Sequence, residues 1–170
     1  MKIFITFLLL SFVGLQVQSQ TIEKDQVCEI HKLLHKTLSS EAKYTVYGTT
    51  QKTVIRNFDF KSPDGIDTSA SNVWKRTEWK KFLNSVDTAT VSNYSLSTAN
   101  KPWFKNTGKA KYILVFAPVI LSADGNLAIS ILKLTNSPGR SSTSRVYFLQ
   151  KENGKWKIKQ ERVISLTDFS

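Results

Sequence analysis

Cys28, His31 and His35 are the chain's only cysteine and only histidines, and all three fall in one short stretch, CEIHKLLH. Residues 31 and 35 are four apart, so a helix would put both rings on one face with the thiol one turn earlier. Paired zinc-binding histidines use that spacing. Lys32, however, stands where a zinc protease of this pattern carries its glutamate base, which removes the proton acceptor that hydrolysis needs. The three side chains also border an apolar stripe formed by Val27, Ile30 and Leu34. They read as partly buried boundary residues, and neither a metal nor another cofactor is expected.

Other chemistry finds less support. A nucleophile elbow of the form G-x-S-x-G is missing, and both histidines come from one segment near the start, so a triad would have to recruit a serine of ordinary context. Asp59, Asp64, Asp67 and Asp87 are scattered as turn and strand-end acids are. The seven glycines form neither G-x-G nor a phosphate loop. The chain therefore reads as more plausibly non-catalytic.

Binding is better served. The formal net charge is +11, which makes salt-sensitive attraction to polyanions unavoidable. WKRTEWKK, residues 74–81, is the densest mixture of cations and aromatic rings, and Trp74, Lys75, Arg76, Lys80 and Lys81 are the candidate binding residues. A cationic helix there could approach an acidic polysaccharide or anionic headgroups. The plainer alternative has Trp79, Phe82 and Leu83 packing inward while the lysines stay wet. A second basic stretch, KENGKWKIKQ at 151–160, alternates lysines with Trp156 and Ile158. A strand would send Lys155, Lys157 and Lys159 to one face and Trp156, Ile158 and Gln160 to the other, separating cations from the ring that nucleic acid would stack on. That stripe is expected to be a solvated face.

The elements that must position these residues begin after a leader. One positive charge at Lys2, an apolar run from Ile3 to Val13 and small polar flanks ending near Ser19 have the layout of a secretory signal peptide. Cleavage before Gln20 is expected to leave a single domain over 20–170, exported to the periplasm or secreted, without a transmembrane segment. Export argues against nucleic acid as a partner, and one cysteine cannot form an internal disulfide.

Within that domain, Val27, Ile30, Leu34 and Leu38 predict an amphipathic helix over 21–38. KYTVYGTTQKTVIRNFDF predicts one or two strands, with Val54, Arg56, Phe58 and Phe60 alternating against their neighbours. Residues 61–72 form a loop, and Trp79, Phe82, Leu83 and Val86 predict a second helix over about 73–86. Residues 87–109 are rich in Ser, Thr and Asn and show no period. Beyond them, four apolar runs separated by turn signals predict an antiparallel meander, with Asn153-Gly154 closing a tight hairpin and Pro118 marking an edge or a bulge.

SADGNLAISILKL and YFLQKENGKWKI resemble the closing module of a type of small exported bacterial protein of uncharacterised function, over roughly residues 111–166. Proteins of that type often carry cysteines in the loop corresponding to NSPGRSSTS, which has none here. The same ending is similar to that of NTF2-like domains, and this implies N-terminal helices packed on a curved sheet. Enzymes of that kind build pocket acid–base pairs from Asp and His. Here both histidines lie on the first helix and no strand offers a clear inward Asp.

The expectation is an α+β fold in which N-terminal helices pack on one face of an antiparallel sheet formed mainly by the C-terminal third. The expected role is binding of a partner protein or an anionic envelope component. An NTF2-like ligand-binding or hydrolytic pocket between helices and sheet is the alternative.

Overall fold

The computed structural model describes residues 24–39, 43–55, 58–60, 72–98, 101–102, 104, 110–136 and 141–168. The leader, most of the loop at 61–72, and with it Asp64 and Asp67, lie outside them. The first helix, α1, runs over residues 24–39 and buries Val27, Ile30, Leu34 and Leu38, the stripe that its spacing predicts.

The last third is a meander. Strands β4 (Tyr112–Phe116), β5 (Ile120–Leu121), β6 (Leu127–Asn136), β7 (Ser141–Glu152) and β8 (Lys155–Asp168) pair antiparallel, with β4 and β5 both on β6. Asn153 and Gly154 take φ of 50° and 75°, as the predicted two-residue turn demands. Phe116 lies opposite Leu132 and Ile120 opposite Ile129, so one extra residue is absorbed at Ala117–Val119. Pro118, which has no N–H to give a ladder, sits in that bulge. The serine-rich segment after 140 belongs to β7 rather than to the loop, and Ser142 and Ser144 are buried.

A short strand β1 (Tyr44–Val46) adds to β4 in parallel, which makes the sheet mixed, in the order β1-β4-β6-β7-β8. Of the one or two strands expected here, β1 is one, and the described residues 51–55 and 58–60 form no second. After Gln51 donates its N–H to Phe116 O at 2.8 Å, the chain makes a 3₁₀ turn at Lys52–Ile55. Tyr44 and Val46 belong to one apolar cluster whereas Ile55 and Phe60 belong to another, so this segment leaves the sheet edge and crosses between faces. A small antiparallel pair, β2 (Ser97–Thr98) with β3 (Lys101–Pro102), lies within the aperiodic middle.

The two helices do not share a face as the sequence pattern suggests. Ala128, Leu132, Tyr147 and Leu149 pack with Ile30, Leu34 and Leu38 of α1. Their strand neighbours Ile129, Ile131, Val146 and Phe148 pack instead with Trp79, Phe82 and Leu83 of the second helix, α2 (Thr77–Ser85). Successive strand side chains point to opposite faces, so the sheet is covered on both sides.

Candidate functional site

The predicted helix over 73–86 is broken. Val73–Lys75 is a 3₁₀ turn capped by Asn72, whose Oδ1 accepts the Trp74 N–H at 2.9 Å. Arg76 is extended, with φ −85° and ψ 133°, and α2 starts after it. Packing explains the break. Five residues apart on one continuous helix, the two tryptophans would diverge by roughly 140°. With the kink, both rings reach Phe148, Trp74 at 4.7 Å and Trp79 at 5.6 Å between centroids, each edge-on. The Arg162 guanidinium covers the Trp74 ring at 5.5 Å from its centroid, and Gln160 Oε1 accepts the Val73 N–H at 2.9 Å.

Of the predicted binding residues, Trp74 is therefore a core residue, Arg76 is half-buried, and Lys75, Lys80 and Lys81 are exposed. Glu78 lies among them and is also exposed. Among the described residues no acid pairs with Lys80 or Lys81.

The other basic stretch behaves differently. Trp156 is buried at 7% exposure on the α1 side, and Lys155 and Lys157 are exposed, as the strand pattern predicts. Glu152, across the turn, takes Lys157 Nζ at 2.8 Å and Lys159 Nζ at 2.5 Å. Hydrogen bonds from Lys157 and then Lys159 hold its carboxyl down at about 2. Gln160 does not share a face with Trp156. A bulge places Ile158 opposite Leu149 and Gln160 opposite Phe148, so the strand changes phase at Lys159 and turns Gln160 to the α2 face.

Beneath α1, His31 and His35 each meet a tyrosine. His31 is fully buried, with its ring edge-on to Phe116 at 4.6 Å and Nε2 2.8 Å from the Tyr94 hydroxyl. That hydroxyl also accepts the Val119 N–H at 3.0 Å. Burial alone lowers the His31 pKa from 6.5 to about 3. His35 is half-buried, and burial lowers its pKa too. The Tyr44 hydroxyl lies 2.9 Å from His35 Nδ1 and donates to the His35 carbonyl at 2.8 Å. Cys28 is a half-buried free thiol. Among the described residues no group of three or more His, Cys, Asp or Glu side chains converges as metal ligands would.

Sequence reasoning missed Tyr94. It sits in the aperiodic middle, held by main-chain bonding to Thr50, whose N–H reaches Tyr94 O at 2.9 Å, and by its own N–H on Thr50 Oγ1 at 2.8 Å. Nothing in its neighbourhood's composition marks it.

Two further groups were not anticipated. Ser130 and Tyr147 are fully buried cross-strand partners on the α1 face; the Ser130 hydroxyl has no hydrogen-bond partner among the described residues, while Arg145 and Glu161 approach the Tyr147 phenol. Burial pushes the Tyr147 phenol up to about 12, with Arg145 opposing and Glu161 adding to the shift. Arg145 and Glu161, paired at 2.9 Å, stand at the open end of this row. Among the described residues no helix is long and apolar enough to cross a membrane. No protein family model, curated protein or solved structure matches the chain.

Proposed function

We propose that this is an exported, non-catalytic protein that binds an anionic component of the cell envelope through the outer surface of α2. The carrying observation is the contrast between its two basic stretches. Glu152 pairs with Lys157 and Lys159 of β8 from within the fold, whereas Lys80 and Lys81 are presented outward without an acidic partner among the described residues. Two tryptophans seated against Phe148 anchor this surface, so little ordering is left to do on binding. Because both rings are buried, the surface offers charge without an inserting or sugar-stacking group, and its attraction should be strongly screened by salt.

The test is binding to vesicles with and without anionic lipid, and to an acidic polysaccharide, at two salt concentrations. Replacing Lys80 and Lys81 together by Gln should weaken binding by about 1 kcal/mol per charge at a lipid surface. The Lys157→Gln/Lys159→Gln variant changes the net charge equally and should lose much less. Equal losses from both pairs would mean that net charge, not α2, does the binding.

The buried Ser130 hydroxyl, without a partner among the described residues, beside the buried Tyr147 phenol favours one second reading, an NTF2-like small-ligand site on the α1 face. Polar small molecules that perturb the Tyr147 ring resonances would support it, and their failure to do so would leave the α2 reading standing alone.

A further inference from the structure

Charge is unevenly divided between the two sides of the sheet. Trp156 packs in the α1 cluster, so its strand neighbours Lys155 and Lys157 point to the α2 side. Lys133 does the same, because Leu132 and Leu134 on either side of it pack with α1. Arg162 covers Trp74 there. Among the described strand residues of that face the one acid is Glu152, which Lys157 and Lys159 already engage. The α1 face carries the mutually paired Arg145 and Glu161, with Lys151 folded over Trp156.

The helices repeat the contrast. On α1 the exposed charges are of both signs, Asp25 and Glu29 standing among Lys24, Lys32 and Lys36. α2 holds one acid, Glu78, against Lys80 and Lys81, with Lys75 exposed just before them. Asp87, just past the helix, is engaged in its own turn, where it accepts the Ala89 N–H at 2.8 Å. α2 packs on Ile129, Ile131, Val146 and Phe148, so Lys133 lies one row beyond it at one end of the sheet, and Lys155 and Lys157 lie beyond it at the other. The cations are therefore spread over a whole side of the molecule.

That spread selects among polyanions. Lysine is a point charge without the planar fork by which arginine fixes one carboxylate or phosphate, and it suits headgroups that rearrange around it. A polysaccharide chain offers sugar rings, for which α2 presents no exposed aromatic partner, Trp74 and Trp79 both being buried against Phe148. A planar layer of mobile anions instead meets cations dispersed over one side, and those within about 8–10 Å of it still contribute. We propose that the anionic component is a lipid bilayer surface and that the protein docks on it with its α2 side down, leaving α1 and the polar row beneath it facing away. The orientation rests on binding through α2, and adds to it the partner and the side that stays free.

Bicelles of phosphatidylcholine and phosphatidylglycerol doped with a gadolinium-chelate lipid test partner and orientation together. Amides 80–85 of α2 should broaden strongly, and amides 31–39 of α1 should keep their intensity. Charge-matched variants supply a second reading. Lys133→Gln/Lys155→Gln should weaken binding to phosphatidylglycerol vesicles by about threefold or more. Lys32→Gln/Lys36→Gln, which removes the same charge from the α1 side, should change it by less than about twofold. Equal broadening of the two helices, or equal losses from the two pairs, would overturn the orientation. Retention by an acidic polysaccharide but not by the bicelles would overturn the lipid partner and leave binding through α2 standing. Failure to bind either would remove both.

Discussion

The two faces of the sheet are built by different means. On the α2 face, Trp74, Trp79, Phe58 and Phe60 gather with Phe148 in edge-on and tilted ring contacts, and apolar contact does nearly all the work. Across the sheet, α1 covers an equally buried surface that is interrupted by a transverse polar row. His31 and Tyr94 lie at one side, Ser130 and Tyr147 in the middle, and the Arg145–Glu161 pair at the rim. Similar burial therefore does not mean similar strength. A mainly aromatic face responds chiefly to removed volume, whereas a more polar face also depends on which protons are present.

The comparison can be broken by mutation, starting with the largest effect. Trp79→Ala removes the largest fully buried side chain of the α2 face and should cost about 3–5 kcal/mol in denaturant unfolding. A loss under about 1 kcal/mol would mean that this face is not the tight one. Tyr94→Phe keeps the ring but leaves the Val119 N–H and His31 Nε2 without their shared hydroxyl, and should cost about 1–3 kcal/mol. Ser130→Ala is the smallest change. Its hydroxyl is buried with no partner among the described residues, so deleting it should be neutral or stabilise by up to about 1 kcal/mol. A clear destabilisation would show that Ser130 has a hydrogen-bond partner.

Local chemistry was legible in the sequence wherever a single residue type dictates geometry. Asn153-Gly154 specifies its turn through positive φ, Pro118 specifies a bulge because it lacks an N–H, and the spacing in α1 specifies its buried stripe. Gln160 was misplaced because a bulge changes phase without any residue announcing it. Placement of the helices on opposite faces did leave a trace. LAISIL in β6 is a continuous apolar run and not an alternating one, as expected for a strand buried on both sides, and all six residues are buried. The break at Arg76 depends on where Phe148 waits for two tryptophans, and Tyr94 depends on a partner helix 63 residues away in sequence. Long-range coincidences of this kind carry no local signal. The cations of α2 were legible as residue types, whereas their lack of acidic partners among the described residues, in contrast to Lys157 and Lys159, became visible only in the fold.

Assignment of ring–ring contacts by nuclear Overhauser effects in the isotope-labelled domain is the most direct test of the two-face arrangement. It predicts contacts between the rings of His31 and Phe116 and between those of Trp79 and Phe148, with none between Trp79 and Phe116. Contacts from Trp79 to Phe116 would put both helices on one face and contradict the account.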